Sequence, residues 1–172
     1  MKEFGLQPDD PGTSIHAKHL QLGTSISDQE TSMGQHVALI LDVRLSDRVH
    51  VYAPGVKGYV PIDWELAPSA GIKAGPVRYP KSQILRLEAI QESVPVYEGE
   101  FRLSRNVTIG SVQAVTPLLD AHGNLTIAGT FRYQACDDQK CFLPETVPVR
   151  WIVHFRPLDR ERVPEDMQQN EH

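Results

Sequence analysis

Apolar residues recur at every second position through five separate stretches of this chain, and that period constrains the fold more than any other feature. In "HVALILDVRLS" they are Val37, Leu39, Leu41, Val43 and Leu45. In "PIDWEL" they are Ile62, Trp64 and Leu66, and in "EFRLSRNVTI" Phe101, Leu103, Val107 and Ile109. "NLTIAGTFRYQAC" carries Leu125, Ile127, Phe131 and Tyr133, and "TVPVRWIVHF" carries Val147, Val149, Trp151, Val153 and Phe155. A helix places neighbours on one face every three to four residues, whereas a strand does so every two, so these are half-buried strands. "APGVKG", "APSAG" and "DAHGN" supply the Gly, Pro and Asn residues that end strands. Short strands separated by turns, with no strand–helix–strand run, predict an all-β antiparallel sandwich. The one weak helix candidate is "KSQILRLEAIQ", Lys81 to Gln91, which follows Pro80 without a clear cap and reads equally as a loop.

At 172 residues the chain is long enough for one domain with a substantial core. A net charge of -5 and the lack of any Lys/Arg cluster argue against nucleic acid as a partner. No run approaches the roughly 20 apolar residues that a membrane helix needs. The opening "MKEFGLQPDDPG" is not a signal peptide, so the sequence reads as a cytoplasmic protein or a mature segment. Residues 1–12 and the polar, aperiodic residues 157–172 read as tails or linkers around a domain at 13–156.

The chain has two cysteines, Cys136 and Cys141, separated by Asp137 to Lys140. Four residues is a common hairpin loop length, so the pair is expected to face across the ends of two antiparallel strands. Opposed Cα atoms there lie about 4.5–5.5 Å apart, within the span a disulfide accepts. Cys136 falls out of phase with the apolar positions of the strand before it, so parity points it away from the core, towards solvent or a partner. Three readings stand. A structural bond is one, although so small a loop makes a poor staple. A working dithiol is another: Lys140 favours a thiolate at Cys141, and Asp137 and Asp138 oppose it. A metal site is the third, but two cysteines are half a tetrahedral set, and none of the seven histidines has finger-like spacing from them. His16 and His19, three apart on an expected strand, would point to opposite faces.

Other chemistry is sparse. No phosphate-binding Gly loop or nucleophile elbow is present, and Tyr52, Tyr79, Tyr97 and Trp64 read as core or rim aromatics. The cysteine segment itself, "YQACDDQKCFLPETVPV", is more specific. Tyr133, Gln134, Ala135 and Cys136, a short polar loop, then Cys141, Phe142, Pro144, Glu145 and Thr146 resemble the signature of the N-terminal domain family of the thiol:disulfide interchange protein DsbD. "HVYAPG", "GYVPIDWEL", "VRYPKSQ" and "VPVYEGEF" add to the resemblance, which spans about Thr13 to Phe155.

The resemblance implies an immunoglobulin-like β-sandwich in the periplasm or otherwise outside the cytoplasm. It implies a cysteine pair that cycles between dithiol and disulfide without a cofactor or metal. The partners would be thioredoxin-fold proteins or domains, and the domain could be tethered to a membrane or a thioredoxin-like module in a longer chain. Cys141 would form the mixed disulfide with a partner and Cys136 would resolve it. A cap loop would fall at Glu88 to Glu92, where Ile90 and Gln91 replace the aromatic pair of the best-known members. Glu88, Ile90, Gln91, Tyr97 and Tyr133 are the cap and thiol-tuning candidates. The alternative is a non-catalytic binding module whose disulfide only rigidifies the hairpin.

Overall fold

A computed structural model describes residues 13–157. Thirteen strands run through it: β1 Thr13–Ala17, β2 Leu20–Ile26, β3 Glu30–Thr31, β4 His36–Leu45, β5 His50–Tyr52, β6 Asp63–Leu66, β7 Ile72–Arg78, β8 Gln83–Leu87, β9 Glu92–Glu98, β10 Glu100–Ile109, β11 Asn124–Tyr133, β12 Ala135–Cys136 and β13 Glu145–Phe155. One short helix, α1 at Val112–Val115, joins β10 to β11, with the Ser111 side chain accepting the Ala114 N–H at its start. No helix among the described residues is long and apolar enough to cross a membrane.

The strands form three sheets, ordered β1-β2-β4-β10-β7, β3-β13-β11-β6 and β12-β5-β9-β8. Every pairing is antiparallel except β3 with β13. This is the all-β, immunoglobulin-like sandwich that the period-two pattern and the cysteine motif predict. The first two sheets enclose the main core. Leu39, Leu41, Val43, Leu103, Val107 and Ile109 come from one side, and Trp64, Leu125, Ile127, Phe131, Trp151 and Val153 from the other. Trp64 and Trp151 stack at its centre, 5.1 Å apart, and the Trp151 indole N–H donates to the Ile40 carbonyl.

The third sheet positions the cysteines. Its inward residues Val51, Tyr97 and Ala135 join the main core. Its other face carries a second cluster, Tyr52, Val94, Val96 and Cys136, with Val56, Tyr59, Leu85 and Leu87 packed against it.

Three sequence expectations are corrected here. Residues 81–91 hold a strand, β8, followed by a 3-10 turn at Glu88–Ile90 rather than a helix, because Leu85 and Leu87 alternate inward onto the second cluster. His16 and His19 do not share a strand. His16 lies on β1, and His19 sits in the reversal between β1 and β2 with φ 72°. Cys136 does point away from the main core, as parity requires, but it faces neither solvent nor an open surface. It is 2% exposed, covered by the second cluster. The predicted tail at 1–12, and all but the first residue of the one at 157–172, lie outside the described residues.

Candidate functional site

The site begins with a register. Gln134 interrupts the edge of the sandwich after β11, and β12 crosses to pair with β5, setting Ala135 opposite Val51 and Cys136 opposite His50. Directly opposed residues present side chains on the same face. His50, Tyr52 and Cys136 therefore share one surface of the third sheet, while Val51 and Ala135 anchor the other surface in the main core.

The chain then turns. Asp137 N–H donates to the Lys140 carbonyl, and the Asp137 carboxylate accepts the backbone N–H groups of Gln139 and Lys140 at 2.8 and 2.9 Å. Those two bonds hold the Asp137 carboxyl below its ordinary range. Cys141 returns opposite Cys136, and a disulfide joins them across Cα atoms 3.9 Å apart. That is closer than the roughly 4.5–5.5 Å of opposed strand residues.

The residues around the turn fix it. Gln134 accepts the Val60 N–H and donates to the Phe142 carbonyl. Phe142 N–H donates to the Ala135 carbonyl. The Phe142 ring stacks on His19 at 4.0 Å, with the Lys140 ammonium 5.2 Å from its centre. The Tyr-Gln-Ala-Cys and Cys-Phe halves of the motif thus lock to each other as well as through the sulfurs.

The two sulfurs stand in different surroundings. Cys136 is buried and Cys141 is exposed. Tyr52, 1% exposed, donates its hydroxyl to Cys136 Sγ at 3.2 Å and lies 3.7 Å from Cys141 Sγ. His50 Nε2 is 3.2 Å from the same hydroxyl, and Tyr59 stacks on the Tyr52 ring. Burial, then the neighbouring Tyr59, pushes the Tyr52 phenol up to about 12. Burial also lowers the His50 imidazole below its usual range, against the opposing pull of Glu98, Asp138 and Asp137. A cavity of about 580 Å³ opens beside His50, lined also by Asp47, Arg48, Glu98, Asp137 and Asp138.

The other candidates from the sequence fall at varying distance from this centre. Glu88, Ile90 and Gln91 form the exposed tip of the β8–β9 hairpin. Glu88 pairs with Arg86, and Gln91 accepts from Arg86 and donates to the Glu88 carbonyl. The flanks of that hairpin, Leu85, Leu87, Val94 and Val96, are what packs with Cys136. Tyr97 and Tyr133 are core residues. Their hydroxyls donate to the carbonyls of Pro80 and Lys18. The tyrosine that reaches the sulfurs is Tyr52, read from the sequence only as a core or rim aromatic, and the histidine beside it is His50, which sequence reasoning did not single out. The available signal was their shared parity in "HVYAPG". Among the described residues, no three His, Cys, Asp or Glu side chains gather where they could hold a metal ion.

An exposed cysteine bonded to a buried, hydrogen-bonded one, on a hairpin at the edge of an immunoglobulin-like sandwich, defines a class of domain built around one disulfide near the surface. The family model for the N-terminal domain of the thiol:disulfide interchange protein DsbD matches residues 19–150, and the chain belongs to that family. No curated protein matches it. Among solved structures, the chain is similar to the N-terminal periplasmic domain of ScsB from Proteus mirabilis, with a TM-score of 0.60 at 13% identity over 92% of this chain. It spans 58% of that structure's length. The Neisseria meningitidis DsbD N-terminal domain in its reduced form is also similar, with a TM-score of 0.47 at 14% identity, covering 86% of this chain and 89% of that one.

Proposed function

We propose that this domain relays reducing equivalents between thioredoxin-fold proteins through the Cys136–Cys141 pair, outside the cytoplasm. Membership of the interchange family supports the chemistry, and the periplasmic origin of the ScsB domain supports the location. The observation that carries the reading is the asymmetry of the disulfide, with Cys141 an exposed residue and Cys136 buried against Tyr52.

Thiol–disulfide exchange needs in-line access to one sulfur and a stabilised leaving thiolate at the other. A partner thiolate attacks Cys141 Sγ, the Cys136–Cys141 bond breaks, and the electron pair leaves on Cys136 Sγ. A second partner thiol then releases the domain as a dithiol. In the donating direction, the Cys141 thiolate attacks an acceptor's disulfide and Cys136 resolves the mixed disulfide. Leu143, 82% exposed two positions beyond Cys141, offers an apolar contact to whichever protein docks there. The Glu88–Gln91 tip takes the place of a cap, and the leucines at its base shield the buried sulfur.

The test is trapping. Mixed with an oxidised thioredoxin-fold protein, reduced Cys136→Ser should accumulate a mixed disulfide on non-reducing gels, since Cys141 attacks and nothing resolves. Cys141→Ser should form none. Equal trapping by both variants, or by neither, contradicts the assignment.

A further inference from the structure

The buried sulfur raises a problem of protons. When the disulfide opens at Cys141, the new charge appears on Sγ of Cys136, a residue 2% exposed and clustered with Val94, Val96 and Tyr52. Water does not surround it, and an unneutralised thiolate in apolar surroundings is costly. The structure places a connected pair of proton carriers against it. The Tyr52 hydroxyl lies 3.2 Å from Cys136 Sγ, His50 Nε2 lies 3.2 Å from that hydroxyl, and His50 lines the cavity that opens to solvent.

We propose that His50 and Tyr52 form a proton relay between this cavity and the Cys136 sulfur, working in both directions of thiol–disulfide exchange. This inference rests on the exchange reading above. A disulfide sulfur can only accept, so the single Tyr52 proton points to Cys136 and His50 Nε2–H donates to the phenol oxygen. As the partner's sulfur bonds to Cys141 Sγ and the Sγ–Sγ bond breaks, Cys136 Sγ takes the electron pair and the Tyr52 proton. Tyr52 is refilled from Nε2–H of a His50 imidazolium that has already taken its Nδ1 proton from cavity water, which leaves a neutral imidazole. Neither a free tyrosinate nor an external oxidant is required. In the reverse step the Cys136 thiol loses its proton along the same chain and attacks the mixed disulfide at Cys141.

The groups facing His50 fit this role. Glu98 on β9 and Asp137 and Asp138 on the cysteine loop favour the imidazolium, while burial opposes it. Asp47 and Arg48 line the same cavity. A histidine whose pKa burial lowers, against the pull of facing carboxylates, is a group that can accept a proton and pass it on.

The experiment follows reduction of the intact protein's disulfide by dithiothreitol, with rates divided by the dithiothreitol thiolate concentration, from pH 5 to 9. For the natural protein this corrected rate should fall as pH rises through the His50 transition, because the imidazolium is the better proton source. In His50→Gln that inflection should vanish. Tyr52→Phe should slow reduction about tenfold or more, and the double variant should be no slower than Tyr52→Phe alone. Circular dichroism confirms that each variant folds. Unchanged pH profiles, or additive losses in the double variant, overturn the relay. Because dithiothreitol needs no docking surface, reduction by it but not by thioredoxin-fold proteins would refute the exchange partners while leaving the relay intact.

Discussion

Gly129 shows how closely one residue can be prescribed. It lies where β11 passes β6, and a Cβ there would sit 2.3 Å from the Glu65 carbonyl oxygen. Gly129→Ala should therefore force the two strands apart and cost about 1–3 kcal/mol, read from urea denaturation. An unchanged midpoint would show that β6 moves freely. Tyr52 is prescribed as tightly by chemistry, but its sequence signal was weak. A tyrosine in a half-apolar strand is ordinarily a core residue, and Tyr52 is one; only the β5–β12 register turns its hydroxyl to the sulfurs. Tyr97 and Tyr133 have the same composition and parity arguments, yet backbone carbonyls take their hydroxyls. Which tyrosine meets the cysteines depends on pairing between segments 84 residues apart, and local pattern carries no record of that.

At the scale of elements, the β8–β9 hairpin is the cover of the buried sulfur. Leu85 and Leu87 project from β8 onto the cluster containing Cys136. Leu87→Ala should cost about 2 kcal/mol, towards the low end for truncating a leucine because the site is only partly buried. It should also speed alkylation of Cys136 by iodoacetamide in the reduced protein, measured by mass spectrometry; an unaltered rate would show that the hairpin is not what shields it. The five alternating strands were legible because each buries one face against a single core. Residues 81–91 were not, because β8 is an edge strand whose apolar residues touch only a small satellite cluster, and Ile84 on its outer face is 69% exposed. The cysteine hairpin was legible for a different reason: a four-residue loop and paired cysteines define their own geometry without reference to the rest of the fold.

For the whole molecule, the ionisable groups set limits at both ends of the pH scale. The folded state lowers the His50 pKa, so it contributes stability that is present above the unfolded value of 6.5 and is lost as pH falls through the lower folded value. Tyr52 and Tyr133 are both pushed up to about 12, so their contribution is complete below the unfolded value of 10.0 and is lost as pH rises towards 12. Thermal midpoints should therefore decline below about pH 6 and again above about pH 10. His50→Gln should flatten the acid side only.

The disulfide contributes little to this balance. A loop with a sequence separation of 5 is worth at most about 2 kcal/mol in the chain-entropy model. The sandwich, with its stacked tryptophans and continuous core, holds itself together without it. A bond of small structural value, with one exposed cysteine and a hydrogen-bonded leaving group, is suited to being opened and closed. The reduction potential of the Cys136–Cys141 pair, from equilibration with dithiothreitol and glutathione buffers, tests that most directly. The account predicts a value between about -120 and -270 mV, where proteins that pass electrons through dithiols operate. A value below about -300 mV, typical of structural disulfides, would contradict it and make the pair a staple for the hairpin.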